Sequence, residues 1–156
     1  MGVDVYSTND QLGGPQIMYP NGLSHLVAYD HLGAVKAAID WLSYVPSTRR
    51  GMLPISDIRG IDEIERAIDF MPVAGVPYDP RFLIAGGDDD RGVWQSGFFD
   101  KGSFTESLSG WAKTVVVGRA RLGGIPMGVI ITENRTAEAI KPAAEPSLYR
   151  PSKRPP

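Results

Sequence analysis

The 156-residue chain has no cysteine. That excludes a disulfide framework and any zinc site built on thiolates. It has only two histidines, His25 and His31, with no third ligand at a recognisable spacing, so no metal site is expected. No apolar run reaches the ~20 residues that a membrane-spanning helix needs. Charge of one sign is also lacking. Sixteen Lys and Arg stand against 18 Asp and Glu, a formal charge of −2 that offers no basic field for nucleic acid. Asp4 comes early and no apolar h-region follows, so no secretory signal is expected and the cytoplasm is the expected compartment. The acids Asp62, Glu65, Asp100 and Glu106 form no carboxylate pair at a diagnostic spacing, and no nucleophile elbow surrounds Ser7, Ser24, Ser96 or Ser103. Asp88-Asp89-Asp90 lacks the alternating ligands and distal glutamate of a calcium loop and reads as a solvated turn.

At 42% hydrophobic and 22% charged, the chain has the composition of an ordinary soluble domain with a sizeable core. Its 18 Gly and 13 Pro imply many turns. Met1 to Asn9 reads as an opening loop. Asp10 is an N-cap candidate for a short helix through Leu12, Ile17 and Met18, weakened by Gly13, Gly14 and Pro15. Ser24 to Tyr29 reads as a short strand. Asp30 then caps a helix whose apolar stripe, Leu32, Val35, Ala38, Ile39 and Leu42, is expected to be buried; Pro46 closes it. A strand followed by a helix points to a layered α/β (α+β) arrangement.

Ser47 to Gly60 reads as a loop. Ile61, Ile64, Ala67 and Ile68 keep a helical period through Phe70. Asp79 and Pro80 form a cap and first helical residue, with a helix to Ala85 and a stop at Gly86 or Gly87. Ser103 to Glu106 (S-F-T-E) carries the capping-box spacing, which predicts a helix to about Ser109.

Two β-rich runs, Thr114 to Leu122 and Met127 to Thr132, flank Gly123-Gly124 and predict a β-hairpin. In the first run Val115, Val117, Arg119 and Arg121 share one face; Val116, Gly118, Ala120 and Leu122 share the other. The second run is apolar enough for burial on both faces. Pro126 has no N–H and belongs near the turn or on an unpaired edge. After Lys141 the composition shifts: five of the 13 prolines lie in 142–156, which reads as a disordered tail.

The wording of several stretches carries further. Val5 to Met18 (V-Y-S-T-N-D-Q-L-G-G-P-Q-I-M), Asn21 to Leu26 (N-G-L-S-H-L), Trp41 to Pro46 (W-L-S-Y-V-P), Tyr78 to Arg81 (Y-D-P-R), Phe99 to Phe104 (F-D-K-G-S-F), Gly110 to Lys113 (G-W-A-K) and the hairpin occur in one order and spacing. Together they resemble the carboxyltransferase component of eukaryotic multidomain acetyl-CoA carboxylase, from Met1 to about Pro142. His31 stands where that family usually has an acid, and Asn134 where it usually has Thr.

The resemblance implies a crotonase-like (ClpP/crotonase) fold of stacked ββα units, here incomplete. Residues 1–108 would be the end of the N-terminal subdomain with the connecting segment, and 109–141 the start of the C-terminal subdomain. It implies transfer of a carboxyl group from carboxybiotin to acetyl-CoA, giving malonyl-CoA for fatty-acid synthesis. Biotin would sit on a carrier domain, and a biotin-carboxylase domain would use ATP, bicarbonate and a divalent metal. The intact enzyme would be a homodimer, its active site formed between subunits. The family's oxyanion-building glycine stretches have no counterpart in this chain, so a chain inactive by itself is expected. A truncated non-catalytic protein that docks on the full-length enzyme, and a carboxyltransferase for another acyl-CoA such as propionyl-CoA, are the alternatives.

Six residues remain candidates for substrate contact. Gly13, Gly14, Gly123 and Gly124 can present backbone N–H groups to a thioester oxygen, or can simply form turns. Arg119 and Arg121 can meet CoA phosphates, or can pair with acids at a subdomain boundary.

Overall fold

The computed structural model describes residue 8 and residues 10–138. Expectations for Met1–Ser7, Asn9 and the Pro-rich tail fall outside the described residues. Four short helices, α1 (Asp10–Gly13), α2 (Pro15–Met18), α3 (His31–Leu42) and α4 (Pro80–Ala85), precede or flank five strands. These are β1 (Gly87–Asp88), β2 (Trp94–Gln95), β3 (Thr105–Ser107), β4 (Val115–Leu122) and β5 (Ile125–Thr132). β1 and β2 form a two-stranded ribbon, and the main sheet is antiparallel in the order β3-β4-β5.

The hairpin forms as its sequence predicts. Leu122 faces Ile125 across a two-residue loop. Gly123 and Gly124 have φ of 59° and 79°, the left-handed pair of a type I′ turn that matches strand twist. Pro126 faces Arg121 in β5, an edge strand, where a missing N–H costs least. On β4 the alternation holds: Val116, Gly118 and Ala120 are buried, and Val116 and Ala120 form a core with Ile84 and Val129. Phe99, Phe104 and Ile131 pack on it. β5 departs from the expectation of two buried faces. Val129 is buried, but Ile130 is 79% exposed, because nothing described covers the outer face of this edge strand.

The capping box fails for a tertiary reason. Thr105–Ser107 is a strand, not a helix; it pairs with Val117–Arg119 and fills the second edge of β4. Ser103 caps nothing. Its Oγ accepts the N–H of Arg121 at 3.0 Å. Gly118 permits the close approach, since a Cβ there would lie 2.4 Å from the Thr105 carbonyl oxygen and 2.7 Å from the Phe104 ring.

The segment 61–70 is not helical either. Arg66 donates to the carbonyls of Gly97 and Phe99, both at 2.7 Å, and the N–H groups of Asp69 and Phe70 donate to the Ser96 carbonyl. Those bonds hold the segment extended against 96–101. Ser24 to Tyr29 forms no strand; its backbone is tied across by the Leu108 N–H to the His25 carbonyl at 3.0 Å. The first helix breaks at Gly14 into α1 and α2, with Asp10 already inside the first turn.

Helix α3 starts as expected: Asp30 accepts the Gly33 N–H at 2.6 Å. Its stripe, however, is not buried. Leu32, Val35, Ile39 and Leu42 are all exposed, and no residue of α3 is buried. The helix is held mainly at its C-terminal end, where Trp41, Ser43 and Tyr44 meet β4 and Ser103. Periodicity marks a face that wants a partner but does not supply one. Leu42, 59% exposed, is therefore expected to tolerate Leu42→Ala with a loss within ~0.5 kcal/mol, measured by denaturant unfolding. A loss of several kcal/mol would mean the stripe is packed.

Candidate functional site

The six candidate residues do not converge on one position. Gly14 closes the turn of α1, its N–H donating to the Asp10 carbonyl at 2.9 Å, and its own carbonyl accepts from Ile17 and Met18. Gly13 is exposed beside it. Both serve as turn residues here.

Gly123 and Gly124 present parallel N–H groups, but to an internal acceptor. Gly123 donates to Asp100 Oδ1 at 2.8 Å and Gly124 to Oδ2 at 2.7 Å. The Gly124 carbonyl in turn accepts the Ser56 N–H at 3.0 Å. The sequence pointed to the amides but not to Asp100, 23 and 24 residues away. Both F-D-K-G-S-F and the hairpin stand out as motifs; only the fold brings them together.

Arg119 and Arg121 share a sheet face and have different surroundings. Arg121 is 8% exposed. Its guanidinium donates to the carbonyls of Pro54 (2.8 Å), Gly124 (3.1 Å) and Ser43 (2.8 Å), and lies over the Tyr44 ring at 4.6 Å. It pins the loop 47–60 and the end of α3 to the hairpin, and pairs with no acid among the described residues. Arg119 lies over Trp41 at 5.2 Å, likewise without a carboxylate partner among the described residues. Acid pairing, one of the two roles open to these arginines from sequence, is absent among the described residues; backbone carbonyls and aromatic rings take its place.

The charged network lies elsewhere, around Arg81. Its Nε and Nη2 donate to Glu106 at 2.6 and 2.5 Å, a bidentate pair, and its Nη1 reaches Asp79 at 3.2 Å and Glu133 at 3.4 Å. Arg135 donates to Glu133 at 2.9 and 2.8 Å and reaches Asp79 at 3.1 Å. The cap of α4, strand β3 and the chain leaving β5 meet here. The Arg135 hydrogen bonds lower the Glu133 carboxyl from 4.5 to about 2, and the Glu106 hydrogen bonds raise Arg81 above its ordinary value. Glu133 thus contributes stability that is present above pH 4.5 and lost as pH falls toward about 2. Glu133→Gln is expected to lower the melting temperature at pH 7, and the gap to the wild type should narrow across that window. A gap unchanged down to pH 2 would remove Glu133 from the network.

The surface depressions are open grooves. One of about 310 Å³ is lined by Leu83, Ile84, Phe98, Phe99 and the β5 residues Val129 and Ile131. Another, of about 280 Å³, has Trp111 and Lys113 on its wall. Neither is lined by a candidate glycine or a candidate arginine.

Residues 1–152 match the carboxyl transferase domain. The chain belongs to that family. It is 50% identical over 148 residues to the mitochondrial acetyl-CoA carboxylase of Saccharomyces cerevisiae (strain S288c), covering 95% of this chain and 6% of the relative. It is 52% identical over 143 residues to a second acetyl-CoA carboxylase of that organism, and 50% over 143 residues to that of Schizosaccharomyces pombe; each match covers 92% of this chain. The carboxyl transferase chain therefore spans about 6% of the length of these relatives. The crystal structure of transcarboxylase 12S with methylmalonyl-coenzyme A bound superposes with a TM-score of 0.58 over 81% of this chain and 23% of that one, at 24% identity. That likeness is one of fold, and it places these small sheets and helices as part of a crotonase-like carboxyltransferase architecture. Among the described residues no helix is long and apolar enough to cross a membrane.

Proposed function

We propose that this chain is an internal segment of the carboxyltransferase of an acetyl-CoA carboxylase, which moves a carboxyl group from carboxybiotin to acetyl-CoA and yields malonyl-CoA. The observation that carries the proposal is identity of 50–52% to acetyl-CoA carboxylases over 92–95% of the chain. In the reaction the acetyl methyl carbon gains the carboxyl carbon through a new C–C bond as the N–C bond of carboxybiotin breaks, and its lost proton goes to the biotin nitrogen so freed. Carboxybiotin supplies the carboxyl group from a carrier domain. ATP, bicarbonate and metal belong to the biotin-carboxylase domain, and the intact enzyme is a homodimer.

The described residues do not by themselves fit biotin or a thioester. Their paired turn amides at Gly123 and Gly124 are taken by Asp100, and their grooves are open. What they do supply is scaffold: Arg121, Asp100 and the Arg81 network set the position and exit direction of the hairpin. Of the six candidates, Arg119 retains the strongest case for a CoA phosphate, since its charge faces an aromatic ring and no acid. The division between subdomains at 108/109 remains part of the proposal, with β3 reaching across it to β4. The proposed compartment is the cytoplasm; the mitochondrial relative names the alternative, and cell fractionation separates them.

A second reading, a non-catalytic protein that docks on the full-length enzyme, draws on the exposed stripe of α3 and the exposed Ile130. A propionyl-CoA carboxyltransferase has less support, since the relatives cited at 50–52% identity are acetyl-CoA carboxylases. One experiment addresses all three. Residues 1–142 replace the matching segment of the Saccharomyces cerevisiae acetyl-CoA carboxylase, and the purified chimera is assayed with acetyl-CoA and propionyl-CoA. Malonyl-CoA formation near the parent rate is expected. A folded but inactive chimera would favour the docking reading, and a switch in preference to propionyl-CoA would favour the other.

A further inference from the structure

The hairpin turn, whose amides are taken by Asp100, has the geometry of an anion site in its own right. Gly123 and Gly124 both hold positive φ, and their successive N–H groups point to one side. Two consecutive backbone amides so arranged form a concave nest that attracts anions. The group in it is the carboxylate of Asp100, each oxygen taking one amide, at 2.8 and 2.7 Å. Asp100 is 5% exposed and is paired with no lysine or arginine side chain among the described residues. A buried carboxylate needs compensation from its surroundings, and here the two turn amides supply it. The backbone of Asp100 is fixed on both sides, its N–H on the Arg121 carbonyl at 2.8 Å and its carbonyl accepting from Ser103 at 3.0 Å. The carboxylate is therefore held in register with the nest by a backbone bond to β4, two residues before the turn. The Arg121 guanidinium, on the Gly124 carbonyl at 3.1 Å, adds positive charge beside it.

We infer that the Gly123–Gly124 turn is a carboxylate-binding site whose resident ligand is the side chain of Asp100, and that the vacated nest takes a small free carboxylate such as formate. Asp100 is thus a positioning residue for the turn. The chemistry of recognition is two amide donors, each to its own oxygen, where a carboxylate fits better than a spherical halide that must share one atom between both donors.

The test uses the full chain. In Asp100→Ala, sodium formate should shift the Gly123 and Gly124 amide resonances saturably and raise the melting temperature. Sodium chloride at equal ionic strength should do neither, and the wild type should respond to neither salt. A folded Asp100→Ala that treats formate and chloride alike overturns the inference. Should that variant not fold, Asp100→Asn keeps the shape and removes the charge. Exchange of the two turn amides should then be about 10- to 100-fold faster than in the wild type, the loss expected when a charge-assisted bond becomes a neutral or mismatched one. In the wild type both amides should exchange slowly despite lying in a turn, and rapid exchange there also overturns the inference.

Discussion

The isolated 156-residue chain is expected to form no measurable malonyl-CoA from acetyl-CoA and carboxybiotin. An enolate from a thioester needs preorganised donors about 3 Å from the developing charge, and losing one such donor costs ~10²–10³ in rate. The described residues offer two candidate amide pairs. Gly123 and Gly124 are spent on Asp100, and the Gly14 N–H is spent on Asp10. Positioning of two reactants is not provided by the two grooves among the described residues, which are open and lined by neither the candidate glycines nor the candidate arginines. The chain also spans 6% of the length of the relatives whose activity is proposed. The losses compound, so the expected deficit is at least about 10⁴-fold against an intact carboxyltransferase. The assay is malonyl-CoA formation by the purified chain beside an intact acetyl-CoA carboxylase. Turnover within tenfold of that enzyme would refute the expectation and would require a complete site among the residues described.

The largest effect on stability is expected from Gly124→Ala. A Cβ at this position would stand 2.1 Å from the Ser56 carbonyl oxygen and 3.1 Å from its carbon. Those are backbone atoms, held by the Ser56 N–H donating to the Gly124 carbonyl at 3.0 Å, so relief requires the loop 47–60 to move off the turn. The φ of 79° adds about 1–2 kcal/mol for any residue with a Cβ. Displacing the turn also breaks the Asp100 bond and strands a buried carboxylate, at about 1–3 kcal/mol or more. Together these come to about 2–5 kcal/mol before the clash with Ser56 is added, a large share of the about 5–15 kcal/mol that holds a typical domain. Gly123→Ala is the control. It has φ of 59° but no atom within 4 Å of the added Cβ, so it should cost only about 1–2 kcal/mol, the conformational part alone. Denaturant melts of both variants check this. Equal losses at 123 and 124 would show that the contact with Ser56 does not constrain the turn.

Features that depend on neighbours in the chain were legible in the sequence. Asp79 and Pro80 start α4, and Gly86 at φ 75° ends it, because caps act over one helical turn. Asp30 caps α3 for the same reason. The hairpin and its turn follow from alternation around two glycines, and the match to carboxyltransferases follows from stretches of wording whose order survives in the chain. Features that depend on distant partners were not. S-F-T-E satisfies a helix-start rule, yet β4 needed a second neighbour and drew Thr105–Ser107 into the sheet, where Ser103 serves Arg121 instead of a cap. The stripe on α3 has a clear period, but burial requires an opposing surface, and only the C-terminal end of that helix meets one.

For the candidate site, residue type marked Gly123, Gly124, Arg119 and Arg121 as groups able to bind oxygen or phosphate. It carried no information on what would already be bound to them. Asp100 reaches the turn from 23 residues away, and Arg121 reaches Ser43 from 78. Hydrogen-bonding capacity belongs to a side chain and is readable from its chemistry. Whether that capacity is spent inside the protein or left for a ligand depends on which atoms the fold brings within 3 Å, and for this hairpin the tertiary structure spent the turn amides on Asp100 and the Arg121 guanidinium on backbone carbonyls.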